Sequence, residues 1–219
     1  MQTKNLPLHH LLKPSQNTDG KAPVMFMLHG YGSNEDDLFS FARELPAELC
    51  IISIRAPHPL MASAFAWYAI NFDENANKWT DKEQAKTSLN SIVSFIDQAV
   101  ETYDLDPNNV TLLGFSQGAI LSYALALSYP EKVKNVIALS GYIEVDILAT
   151  DYVSNDFSEL SFYASHGSVD QVIPVEWARN TPPLLKSLNI EHVYEEFPVG
   201  HGVAPQNFFA LKSWLDKRI

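Results

Sequence analysis

Apolar residues along this chain collect into short runs at 24–28, 50–54, 110–113, 133–139, 160–164 and 192–197, several of them rich in β-branched side chains. Most runs are separated by stretches in which apolar positions recur every three or four residues. The clearest of these lies between Asp81 and Tyr103, where Leu89, Ile92, Val93, Phe95, Ile96, Ala99 and Val100 follow helical spacing, and Asp106-Pro107-Asn108 turns the chain into the next run. Asn34, ahead of Glu35-Asp36-Asp37, has the form of an N-cap with acids in the first turn, opening a helix that continues to about Leu45 and stops at Pro46. Further helices are predicted over 117–129, 175–189 and 205–217, the middle one bent or restarted at Pro182-Pro183. A strand over 8–13 followed by 16–21 would make a hairpin near the start. Strands alternating with helices in this way predict an α/β fold, a mostly parallel central sheet with helices on both faces.

Two connections, 56–80 and 141–159, are longer than plain turns, and loops of that length in compact domains usually serve a function. The first carries Phe65, Trp67, Tyr68, Phe72 and Trp79, which a solvated linker would not. Trp67 and Tyr68 are candidates for lining a pocket, with plain anchoring of the loop as the alternative.

At 219 residues the chain suits one domain spanning 1–219, and no linker or repeat divides it. With 46% hydrophobic and 19% charged residues it reads as globular, and no apolar stretch approaches the ~20 residues that span a bilayer, so no stable membrane insertion is expected. The first ten residues lack the plan of a secretory signal, which makes the cytoplasm the expected location. A net charge of −11 repels phosphate backbones, and no Lys/Arg cluster is longer than Lys217-Arg218, which excludes nucleic acid as an expected partner. The single cysteine, Cys50, opens an apolar run and reads as a buried strand residue.

Candidate chemistry begins at Gly114-Phe115-Ser116-Gln117-Gly118, between a strand-type run and a helix-type run. A serine on a sharp strand-to-helix turn has its hydroxyl pushed out above the sheet, and flanking glycines let the turn close without Cβ clashes. Such a pentapeptide arises by chance in roughly one chain in ten to fifteen of this size, so its context has to carry the argument. A serine hydroxyl also needs a histidine base, and the histidine a carboxylate that fixes its tautomer. In the strand–turn–helix arrangement the order is serine, acid, histidine, each on a loop after a strand. Asp170 and His201 meet that demand, the first in the stretch 165–174 past the fifth run, the second in Pro198-Val199-Gly200-His201-Gly202 after the last.

The other histidines read as structural. His192 falls inside a strand pattern, His166 is placed to pin the Asp170 loop, and His29 lies in a glycine-rich turn. His58 and His9-His10 lack metal-ligand spacing, so no metal is predicted. The turn His29-Gly30-Tyr31-Gly32-Ser33 is the candidate second half of an oxyanion hole, with the Tyr31 and Gln117 N–H groups as donors. It matches no dinucleotide or phosphate-loop pattern, and no cofactor is implied.

In Leu28-His29-Gly30-Tyr31-Gly32, Ala56-Pro57 with Trp67-Tyr68, Gly114-Phe115-Ser116-Gln117-Gly118-Ala119, Leu139-Ser140-Gly141-Tyr142, His166-Gly167 with Asp170 and Pro174, and Gly200-His201-Gly202-Val203, the chain resembles the phospholipase/carboxylesterase family of α/β-hydrolases. The resemblance covers nearly the whole length. It implies a single α/β-hydrolase domain without a separate lid, Ser116, Asp170 and His201 as a triad, and hydrolysis of carboxylic esters or thioesters. Many relatives have an acidic residue at Ser168 and leucine at Tyr31, while 144–159 follows no clear family pattern.

Three readings follow. The first is a serine carboxylesterase acting on small to medium acyl chains, with Trp67, Tyr68 and Val172 as substrate contacts. The second is a lysophospholipase or acyl-protein thioesterase taking long chains, and the third a hydrolase-fold module that only binds an apolar ligand. An exposed aromatic site with no lid is also a surface that a second copy would cover, so a homodimer is an expectation.

Overall fold

A computed structural model of the chain describes residues 3–16, 19–72 and 78–219. Eleven strands are described: β1 (His10–Lys13), β2 (Ala22–Leu28), β3 (Cys50–Ile54), β4 (His58–Met61), β5 (Ala64–Ala66), β6 (Ile70–Phe72), β7 (Lys78–Thr80), β8 (Leu105–Phe115), β9 (Asn135–Leu139), β10 (Ser161–Gly167) and β11 (Glu191–Phe197). The helices are α1 (Asp36–Phe39), α2 (Lys82–Tyr103), α3 (Gln117–Ser128), α4 (Val175–Ala178), α5 (Thr181–Ser187) and α6 (Pro205–Leu215). Seven strands form one sheet in the order β1-β3-β2-β8-β9-β10-β11, in which only β1 runs antiparallel to its neighbour.

Side chains alternate across a strand, and both faces of this sheet are dry. Val24, Phe26 and Leu28 of β2 pack with residues of α2 and α3, whereas Met25 and Met27 pack with Leu38 of α1 and with Leu211 and Leu215 of α6. All twelve residues of α3 are buried, which accounts for its being apolar all round rather than along one stripe. Asp81 caps α2 by accepting the Gln84 N–H at 2.9 Å, and Asp104 ends that helix at a left-handed φ of 54°. Cys50 is buried, and burial pushes its thiol up to about 11, which leaves it an inert core residue.

The structure departs from the sequence pattern in several places. The helix predicted to run to Leu45 is α1 followed by a 3-10 turn at Ser40–Arg43, where Ser40 Oγ donates to the Asp37 carbonyl and competes with regular helix. Strand β1 pairs with β3 rather than with 16–21, of which Asn17 and Thr18 lie outside the described residues. β8 already begins at Leu105, but the ladder jumps from Ala22–Leu105 to Val24–Val110, so the turn around Pro107, which has no N–H to donate, bulges out of the sheet. The segment 175–189, by contrast, restarts as expected: α4 is followed by α5, with Pro182 and Pro183 in the first turn of α5.

Neither long connection is structureless. The first folds into two hairpins, β4–β5 and β6–β7, and the second contains 3-10 turns at Val145–Ile147 and Tyr152–Ser154, with Ile147, Leu148 and Phe157 buried. The side chains of Phe72 and Trp79 lie outside the described part. Among the described residues no helix is long and apolar enough to cross a membrane.

Candidate active site

β8, β10 and β11 all point their C-terminal ends at one edge of the sheet, and the three sequence-predicted residues Ser116, Asp170 and His201 follow these strands. Ser116 stands between β8 and α3 at φ 54° and ψ −116°, a conformation sparsely populated by L residues and of the kind that concentrates at functional sites. Its N–H donates to the Leu139 carbonyl at 2.9 Å, which ties the turn to β9. The close approach of α3 to β2 requires glycine at 118, because a Cβ there would lie 1.9 Å from the Leu28 carbonyl oxygen.

Ser116 Oγ lies 2.9 Å from His201 Nε2, and His201 Nδ1 lies 2.7 Å from Asp170 Oδ2. With the carboxylate as acceptor, Nδ1 carries a proton and Nε2 is free to accept one from the serine hydroxyl. The Asp170 Oδ1 accepts the N–H groups of Val172 at 2.8 Å and Ile173 at 3.0 Å. Burial pushes the Asp170 carboxyl up, but the bonds from His201, Ile173 and Val172 outweigh it and hold the group below the usual carboxylate range. The Phe115 ring, 5.0 Å from that of His201, covers one side of the imidazole. The two loops meet because residue 167 is glycine: a Cβ there would lie 2.1 Å from the Gly200 carbonyl oxygen.

Gln117 opens α3, so its N–H is one of the helix's unpaired donors and sits at the positive end of the helix dipole. Gly30 lies against Ser116, since a Cβ built on it would come within 3.4 Å of Ser116 Cβ, and Tyr31 follows it in the chain. The turn is braced from outside. His29 Nδ1 bonds the Gly30 carbonyl at 2.7 Å and Nε2 accepts the Ala56 N–H at 3.0 Å, which places the ring's proton on Nδ1. Gly32 N–H and the Phe65 carbonyl bond at 2.8 Å, as do Phe65 N–H and the Ser33 carbonyl. Arg55 stacks on the Phe65 ring at 4.6 Å and is paired with the buried carboxylate of Glu35.

A pocket of about 430 Å³ opens beside Ser116 and His201, in the range of small-molecule sites. Tyr31, Tyr68 and Val172 line it. Trp67 does not, contrary to expectation. It is fully buried, its indole N–H donates to the His29 carbonyl at 2.9 Å, and the residue anchors the loop. With Trp67 and Tyr68 both buried, the exposed aromatic surface on which a homodimer was expected is not formed by them.

The family model described as Phospholipase/Carboxylesterase matches residues 15–219, nearly the whole chain. The chain belongs to the phospholipase/carboxylesterase family.

Among its family relatives is an Arabidopsis thaliana protein named probable carboxylesterase SOBER1-like, 24% identical over 93% of this chain and 82% of the relative. A Saccharomyces cerevisiae acyl-protein thioesterase 1 is 29% identical over 70% of this chain and 69% of its own. Other alignments are shorter: with a probable carboxylesterase of Oryza sativa the match, at 26% identity, spans 60% of this chain and 50% of the relative. The crystal structure of the Bacillus cereus carboxylesterase superposes with a TM-score of 0.84 over 98% of this chain and 96% of that one, at 22% identity, and so shares the α/β-hydrolase fold.

Within this family frame, several pocket residues escape a reading of the sequence. Tyr142 and Trp177, 5.2 Å apart edge to face, and Ile120 line the pocket from three separate segments. Lys82 reaches Asp146 and lies 3.8 Å from Glu144, and it joins the start of α2 to the connection after β9 as part of the pocket wall. Of that connection, Tyr142 and Glu144 face the pocket.

Proposed function

We propose that the protein is a serine carboxylesterase acting on esters of small to medium acyl chains. The carrying observation is the unbroken series Ser116 Oγ, His201 Nε2, His201 Nδ1 and Asp170 Oδ2, with contacts of 2.9 and 2.7 Å at the mouth of the pocket. Ser116 Oγ attacks the acyl carbonyl as its proton passes to His201 Nε2, and the Tyr31 and Gln117 N–H groups hold the oxyanion. His201 then gives the proton to the departing alkoxide. A water deprotonated by His201 attacks the acyl-serine and releases the carboxylic acid and Ser116. Asp170 keeps the imidazole in the required tautomer throughout.

The chain-length preference rests on the wall formed by Lys82 and Glu144. Each methylene buried against apolar surface contributes ~0.8 kcal/mol, whereas a long chain laid over an ion pair has to strip it of water. The relatives named acyl-protein thioesterase support the second reading, long acyl chains carried as esters or thioesters.

Hydrolysis of p-nitrophenyl esters from acetyl to palmitoyl, with fluorophosphonate labelling, tests both. The expected result is a rate peak at short or medium chains, with turnover and label both lost in Ser116→Ala. A rate rising steadily to dodecanoyl selects the long-chain reading, and a wild type with neither turnover nor label refutes catalysis in favour of a binding module.

A further inference from the structure

His166, near the end of β10, has a side chain with no exposed surface. Its Nε2 lies 2.9 Å from the Ile173 carbonyl oxygen and 3.3 Å from Asp170 Oδ2. Both neighbours are acceptors, so the ring's proton is on Nε2, where it is donated to the Ile173 carbonyl beside the carboxylate. Nδ1 is buried with no partner among the described residues. A residue chosen only to fill space would not carry this orphan, since an unpaired buried polar atom costs stability that an apolar ring of similar shape avoids.

The bonds around Asp170 show what Nε2 supplies. A carboxylate has about four lone-pair sites. Val172 and Ile173 N–H groups fill those of Oδ1, and His201 Nδ1 fills one on Oδ2, while His166 Nε2 stands 3.3 Å from Oδ2. The Ile173 main chain is held from both sides, by its N–H to Asp170 and its carbonyl to His166. Resting on the assignment of Ser116, His201 and Asp170 above, we propose that His166 is a positioning residue: its Nε2–H, bonded to the Ile173 carbonyl with Asp170 Oδ2 3.3 Å away, fixes the Ile173 main chain and through it the carboxylate's rotation toward His201.

The charged neighbours offer no substitute. Apart from Asp170 itself, Glu196 of β11 is near enough to feel His166, and it is engaged by Arg179 at 2.7 Å.

The test compares His166→Phe, which keeps a flat ring and removes the donor, with His166→Gln, whose amide nitrogen can reach the Ile173 carbonyl oxygen. Thermal melts establish the folded fraction, and kcat, KM and the pH dependence of kcat/KM are measured on a short p-nitrophenyl ester. In His166→Phe, kcat is expected to fall roughly 3- to 10-fold, the worth of one neutral hydrogen bond, with KM little changed. The acid limb of its profile should move to higher pH, because a carboxylate without the Nε2–H dipole beside it holds the His201 proton more tightly. His166→Gln should recover most of kcat and the wild-type limb. His166→Asn, whose shorter amide misses that oxygen, replaces the Phe variant if that does not fold. A folded donor-free variant with wild-type kcat and limb, or a Gln variant as impaired as Phe, overturns the proposal. A wild type that is neither active nor labelled by fluorophosphonate refutes the triad assignment itself, whereas a labelled wild type with an unaffected Phe variant refutes only the role of His166.

Discussion

The side chain of Gln117 is bonded to the main chain of Trp67, 50 residues earlier: Oε1 accepts the Trp67 N–H at 3.1 Å, while Nε2 donates to the neighbouring Tyr68 carbonyl at 2.8 Å. One amide thus holds a peptide segment as a neighbouring strand would, next to the serine. Gln117→Ala strips two buried backbone groups of their partners, an expected loss of about 3 kcal/mol. For a chain of this size that lowers the melting temperature by roughly 6–12 °C. Because Tyr68 lines the pocket, KM should rise while Ser116 can still be labelled; an unchanged melt and KM would remove the clamp from the account.

Asp170→Asn tests the carboxylate without changing its shape. The amide cannot both keep its bonds to Val172 and Ile173 and accept from His201, so the imidazole is left with the proton on the wrong nitrogen. By the precedent of serine proteases, kcat should fall by up to ~10⁴ with the fold intact, as read by stopped-flow turnover and circular dichroism.

Acid stability should depend on two buried carboxylates, Asp170 and Glu35. Burial pushes each up, but hydrogen bonds win and both lie below their ordinary values, Glu35 through Arg55. A depressed folded value means that the stabilisation is complete above the unfolded value and is lost as the pH falls through the folded one, here below roughly pH 4. Arg55→Leu leaves Glu35 with His9 as its remaining ionic partner, at 3.3 Å, and should cost about 2 kcal/mol at pH 7. Protonation of Glu35 relieves that cost, so the gap in melting temperature between variant and wild type should narrow from pH 7 to pH 4.

Gly167→Ala places a methyl group 2.1 Å from the Gly200 carbonyl oxygen, and backbone on one side or the other has to move. The displaced loop is the one that presents His201. A shift of about 1 Å at a reacting group costs on the order of 100-fold in rate, so kcat should drop by at least that while the protein still melts cooperatively. Full activity in this variant would mean that the two loops are not held at contact distance.

Much of this was legible in the residues. The Ser116 turn announces itself because a strand, a tight glycine-flanked turn and a helix are contiguous, and Asp170 and His201 follow apolar runs that do become β10 and β11. The pocket was not legible to the same degree, since Ile120, Tyr142 and Trp177 meet only through the sheet's topology. Trp67 was misassigned for a related reason: an aromatic residue in a long loop can face a ligand or the core, and its bond to the His29 carbonyl, which decides the matter, spans 38 residues. The pairing of β1 with β3 is equally non-local. The all-buried β3 needs a neighbour on its open side, and a nearby segment with the right turn residues was the more visible partner in sequence.

The strand that leads to His201 is the outermost of the sheet, and no residue of it is fully buried. Ser116, by contrast, rides on a strand with neighbours on either side and a helix that is buried throughout. The proposed base is therefore delivered by an edge of the sheet, where local opening starts, and the proposed nucleophile by its interior. On heating, such a molecule fails by disconnection rather than by collapse: activity is lost while the bulk of the fold persists, and returns on cooling as quickly as one edge strand can zip back into place.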